Sequence, residues 1–191
     1  MKKRAFIIHG WGGKPDANWF PWLKMELKKQ DFHVNVPKMP NADFPVQSEW
    51  LVYMQDIINN VDNDIFLIGH SLGVVAILRF LESLPAGQRV GGVVLVSGFS
   101  ESLGTIPEIE NFFENRVDYE KIKLHCSNFI VINSDDDPYV PMEKGEILRD
   151  NLNAKLIVLH EAGHINMGTG YFQLPIALEE LIKITNKTTP Q

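Results

Sequence analysis

Cysteine is almost absent: Cys126 is the one thiol in 191 residues, so no internal disulfide can form and a reducing compartment is expected. Its sequence neighbour His125 does not make a Cys–His pair, because such a pair needs spatial adjacency, and a structural thiol is the expected role. Basic clusters are scarce too. Beyond Lys2-Lys3-Arg4 there is none, and the formal net charge of −6 argues against nucleic acid and anionic membrane as partners. Long apolar runs are missing as well. The run after Arg4 ends within four residues at His9-Gly10, too short for the apolar core of a signal peptide. No stretch approaches a membrane span, so a cytoplasmic location is expected. Internal repeats and low-complexity linkers are also lacking. What remains is an ordinary globular composition, and 191 residues suit one domain with a sizeable core.

Apolar strands alternate with amphipathic helices along the whole chain. Strands are predicted over 5–8, 32–36, 65–68, 92–96, 129–133 and 155–159. Helices are predicted over about 19–30, 48–60, 74–84, up to 151 after Pro141, and 174–185, with short ones near 107–115 and 119–125. The tail 186–191 is expected to fray. Such alternation implies a three-layer α/β/α sandwich on a six-stranded parallel sheet with right-handed crossovers. The expected order is 2-1-3-4-5-6, in one domain over 1–191 with only a short lid-like insert at about 100–119.

The stretch that carries chemistry is Asp64 to Leu84. Ile65 to Ile68 read as a strand buried on both faces, and the chain from Val74 is apolar nearly all round, as for a buried helix. Between them lies Gly69-His70-Ser71-Leu72-Gly73, a G-x-S-x-G turn. A strand reversing into a helix brings backbones together two residues before and after the serine, so both positions must be small. The serine is then strained, with its hydroxyl over the sheet edge. Leu72 N–H falls at the helix N-terminus, where free donors favour a developing oxyanion.

A serine needs a base, an orienting acid and oxyanion donors. In this chain order the acid comes from Asp135-Asp136-Asp137-Pro138, after strand five. Asp137 is preferred because Pro138 stiffens the turn directly behind it, with Asp136 second; one aspartate is expected buried and two solvated. The base comes from the loop after strand six. His164 is preferred over His160, because Gly163, Gly168 and Gly170 give its loop room to swing. His9, His33, His70 and His125 sit in the wrong chain order and are read as structural. If strands one and three are neighbours, the loop His9-Gly10-Trp11-Gly12-Gly13 lies beside Ser71. Trp11 N–H is then the second oxyanion donor, with Gly10 as alternative.

With these pieces in hand, the chain resembles the small serine hydrolases of the α/β-hydrolase superfamily, in particular the YdeN-like and retinoblastoma-binding-protein-type group. The motifs that carry the resemblance are IIHGWGG, NWFPWL, MPN, GHSLG, LVSGF, SDDDPYVP and AGH, in order almost end to end. It implies a Ser71, Asp137, His164 triad and hydrolysis of carboxylic esters or related acyl bonds without a cofactor. Three aspartates before the proline depart from a single unambiguous acid.

Other classes fit less well. A dinucleotide fingerprint fails at Pro15, and strand two ends without the ribose-binding acid. His160 and His164 lack zinc-ligand geometry and a fourth partner, so no metal is expected. The remaining rival is a binding or scaffolding protein on a hydrolase fold. A small acyl ester is the expected substrate, held in an open cleft walled by Trp11 and Phe99, with Trp19 and Met142 as further wall candidates. Glu101, Glu108, Glu110 and Glu114 predict a mouth unfavourable to anionic substrates.

Overall fold

The structure is a computed structural model that describes the backbone of residues 2–188 and the side chains of residues 2–186. Six parallel strands form one sheet in the order β2-β1-β3-β4-β5-β6. They are β1 (Arg4–Ile8), β2 (His33–Asn35), β3 (Ile65–His70), β4 (Gly92–Val96), β5 (Phe129–Ser134) and β6 (Lys155–Leu159). The order is the expected one, and its reversal sets β1 against β3, where a crevice opens beyond the strand ends.

Side chains alternate between two cores, as the pleat requires. Phe6, Ile8, Ile65, Leu67, Val93, Leu95 and Val131 face one core. It is closed by α2 (Gln47–Ile57), α3 (Leu72–Ser83), α4 (Tyr119–His125) and α5 (Met142–Leu152). Ala5, Ile7, Phe66, Ile68, Val94, Val96 and Ile132 face the other, closed by α1 (Phe20–Lys29) and α6 (Pro175–Thr188). Burial on both faces is why the central strands read as unbroken apolar runs. Every residue from Leu72 to Leu81 is buried, so α3 is held by packing on all sides.

Several boundaries differ from the sequence reading, each for a reason. β3 continues through Gly69 and His70, because His70 still pairs with Val96 of β4. β2 keeps three of its five predicted residues; Phe32 and Val36 are buried beside it without extending the ladder. The segment Pro107–Phe113 is 3₁₀ rather than α-helical. At its end the guanidinium of buried Arg79 donates to the Phe112 oxygen and, just beyond the segment, to the Asn115 and Arg116 oxygens. The C-terminal helix runs to Thr188 where fraying was expected from 186, and 189–191 lie outside the described residues.

Candidate active site

Ser71 links β3 to α3 with φ 55° and ψ −124°, a strained conformation for a residue with a side chain. Two glycines allow it. A Cβ on Gly73 would stand 2.2 Å from the Ile8 carbonyl oxygen, and one on Gly69 would stand 2.9 Å from the Gly73 backbone. Ser71 N–H donates to Val96 O at 2.9 Å, and Ser71 O accepts from Val74 N–H at 2.9 Å, so the serine backbone is fixed at both ends.

The loop after β1 presses against this turn. A Cβ on Gly10 would meet Ser71 Cβ at 2.9 Å and Ser71 Oγ at 3.3 Å. Buried His9 organises the loop. Met39 N–H donates to His9 Nε2 at 3.1 Å, so the ring proton is on Nδ1 and is donated to Gly10 O at 2.8 Å. Burial lowers the His9 pKa and keeps the ring neutral. Gly13 N–H reaches the same carbonyl at 3.1 Å. Because a trans peptide is planar, fixing the Gly10 carbonyl turns Trp11 N–H to the opposite side. Among the described residues, neither Trp11 N–H nor Leu72 N–H has an acceptor within the protein.

The three aspartates after β5 divide their work along the loop after β6. Asp135 accepts from His160 Nδ1 at 2.5 Å and Glu161 N–H at 3.0 Å, in the open. Asp136 accepts from Ser134 Oγ at 2.6 Å and Gly163 N–H at 2.7 Å. These bonds hold both carboxyls below the usual aspartate range, His160 contributing most at Asp135 and Ser134 most at Asp136. Asp137 has a fully buried side chain. Its Oδ1 accepts from Tyr139 N–H at 2.9 Å and Val140 N–H at 3.0 Å, and its Oδ2 meets His164 Nδ1 at 2.8 Å. The side chain of Asp137 is buried and those of Asp135 and Asp136 are exposed, each of the exposed two still accepting two hydrogen bonds.

His164 and Ser71 line the same cavity, of about 820 Å³, together with Leu72, Trp11 and Phe99. His160 is not part of it; its side chain is 83 % exposed on the far side of Asp135. Two wall candidates are displaced. Trp19 is fully buried, its indole donating to Ile165 O at 3.0 Å, and Met142 does not reach the cavity. Gly163 has φ 54°, and a Cβ there would stand 2.5 Å from Thr169 Cγ2. It is a tight turn, pinned by Asp136.

Sequence reading missed other walls. Leu103, Ile106 and Ile109 come from the β4–α4 connection, and Tyr139 stands at the rim with its ring centroid 5.2 Å from that of His164. The apolar spacing of Ile106 and Ile109 inside a polar segment was the available signal. The expected acidic mouth is not there. Glu101 pairs with Lys144 at 3.0 Å and Glu110 accepts from Ser102 at 2.7 Å. Among the described lining residues the charged ones are Glu108 and Lys144, of opposite sign. Among the described residues no group of three or more His, Cys, Asp or Glu is placed to hold a metal, and no helix is long and apolar enough to cross a membrane.

An all-parallel sheet in this order, with a strained serine at the β3–α3 turn and a histidine delivered after β6, defines an α/β hydrolase. The chain belongs to the serine hydrolase family, whose model matches residues 5–183. It is 34 % identical to YdeN of Bacillus subtilis (strain 168) over 189 residues, covering 99 % of this chain and all of that one. It is 31 % identical to the serine hydrolase RBBP9 of Rattus norvegicus over 165 residues, 84 % of this chain and 86 % of that one. The crystal structure of the ydeN gene product from B. subtilis superposes with a TM-score of 0.93 over 96 % of this chain and 99 % of that one. Est1E from Butyrivibrio proteoclasticus shares the fold at 15 % identity and a TM-score of 0.74, over 97 % and 89 % of the two chains.

Proposed function

We propose that the protein hydrolyses carboxylic esters through a Ser71–His164–Asp137 triad and an acyl-enzyme. The observation that carries this reading is the buried Asp137 carboxylate on His164 Nδ1 at 2.8 Å, with His164 sharing a cavity with strained Ser71. Asp137 has one oxygen committed to two backbone donors, so the other acts as a fixed acceptor that keeps the His164 proton on Nδ1. Nε2 is then free to take the Ser71 proton as Oγ attacks the acyl carbon. Leu72 N–H and Trp11 N–H receive the oxyanion. His164 passes its proton to the departing alcohol oxygen, the acyl–Ser71 ester remains, and water activated by the same ring releases the acid. No step calls for a cofactor.

Substrate chemistry follows from the walls. A volume of about 820 Å³ holds far more than an acetyl group, which widens the sequence-based expectation of a small acyl chain. Trp11, Phe99, Leu103, Ile106 and Ile109 offer apolar surface, and Lys144 is neutralised by Glu101. The preferred acyl group is therefore uncharged and apolar, with residues at about 100–119 as a short lid. Cytoplasmic small-molecule esters suit a chain with one buried thiol and net negative charge.

A p-nitrophenyl ester series tests this. kcat/KM should rise by about fourfold per methylene as the chain lengthens from acetyl, each buried CH₂ contributing about 0.8 kcal/mol, until the wall is met. A flat series, or faster turnover of succinyl than of butyryl esters, would contradict it.

A further inference from the structure

The proposed mechanism uses Nδ1 and Nε2 of His164 but leaves unexplained what fixes the main chain that carries this ring. On either side of it, Gly163 N–H donates to Asp136 at 2.7 Å, Ile165 N–H donates to Ala162 O at 3.1 Å, and Ile165 O accepts from the Trp19 indole at 3.0 Å. The carbonyl of the residue itself, His164 O, points the other way. It accepts from Nε2 of His70 at 2.9 Å. His70 is the residue immediately before Ser71.

We infer that His70 is a positioning residue: its buried Nε2–H holds the main chain of His164 and thereby sets the base relative to the nucleophile. A carbonyl oxygen only accepts, so the proton must be on Nε2, the opposite tautomer to that of His9. The ring is 3 % exposed and enclosed by aromatic edges, with Trp19 and Phe20 centroids each 6.0 Å away and His164 itself at 4.9 Å. Such packing leaves the ring little freedom to turn. Nucleophile and base are therefore joined by one peptide link and one hydrogen bond, although they lie 93 positions apart (164 − 71). The titratable groups that act on the ring are His164, Asp137 and His9. Burial first, then the charge of His164, pushes its pKa down to about 3 against the opposing pull of Asp137 and of the bond to His164 O, so the donor stays neutral. In the sequence His70 was one more histidine in the wrong chain order.

The inference rests on the proposed triad, and two measurements separate the two. In the first, His70→Phe keeps an aromatic ring and removes the donor, while His70→Gln keeps an N–H near the place of Nε2. A base displaced by about 1 Å costs about 10²-fold, so His70→Phe should lower kcat by about that factor with KM changed less than about twofold. His70→Gln should recover most of the loss. Wild-type kcat in His70→Phe, or equal loss in both variants, would overturn the inference. In the second, nitrogen chemical shifts of the histidines in the unmodified protein read tautomer and charge directly, whether or not a variant folds. A neutral Nε2–H form of His70 between about pH 5 and 8 is expected. An Nδ1–H form, or titration within that range, would overturn it. Failure of the triad reading would show differently, as a wild-type protein with no ester turnover.

Discussion

Replacing Asp137 by Asn changes one atom, and the surroundings dictate which way the amide must face. The oxygen has to meet Tyr139 N–H and Val140 N–H, because an NH₂ there would put donors against donors at 2.9 and 3.0 Å. The NH₂ therefore points at His164 Nδ1, where the carboxylate accepted at 2.8 Å. His164 can satisfy it only by moving its proton to Nε2, the tautomer unable to take a proton from Ser71. The same logic in a Ser-His-Asp protease costs about 10⁴ in kcat, or about 5.5 kcal/mol of barrier. Folding should be nearly unaffected, since all three contacts keep a partner. Asp136→Asn is the control: its amide oxygen can still accept from Ser134 and Gly163, it does not touch His164, and it should leave kcat within about threefold while the lost charge lowers stability by about 1 kcal/mol. Steady-state ester hydrolysis together with urea denaturation separates the two effects. Loss of activity in Asp136→Asn with retention in Asp137→Asn would refute the reasoning.

Gly73→Ala should destabilise the fold by about 3 kcal/mol or more, because its Cβ would sit 2.2 Å from Ile8 O, and thermal melting would show it. A loss below about 1 kcal/mol would mean the turn is looser than described. Stability should also fall on acidification. His70 has its ordinary pKa of 6.5 when unfolded and about 3 when folded, so between those values the unfolded chain binds the extra proton. The stability present above about pH 6.5 is then lost on going down, at up to about 1.4 kcal/mol per pH unit, with buried His9 acting in the same direction. Urea midpoints taken between about pH 7 and 5 check this; a constant or rising midpoint would count against neutral burial of both rings. Cys126, whose thiol burial pushes up to about 12, should resist alkylation at about pH 8 until the protein is unfolded.

The fold was legible where burial on both faces leaves a clear trace. Ile65 to Ile68 and Gly92 to Val96 are such runs, and the elbow glycines announced the turn through their small size. Pro138 singled out Asp137 in the sequence, and Asp137 is the aspartate whose side chain is buried against His164. What escaped was decided by tertiary contact. Trp19 has the residue type of a cleft wall, yet its indole is used to hold Ile165 O at 3.0 Å. Gly163 reads as flexibility and is in fact a packing requirement against Thr169. The glutamates of the β4–α4 connection read as an acidic mouth, but Lys144 and Ser102 take two of them up. His9 and His70 carry no periodic signal. Their roles depend on main-chain oxygens at Gly10 and His164 that no side-chain pattern displays.

Covalent labelling with a fluorophosphonate asks whether Ser71 is an activated nucleophile. Labelling of the wild-type protein is expected, with complete loss in a folded Ser71→Ala variant. Labelling that survives in Ser71→Ala, or a folded wild type that does not label at all, would contradict it.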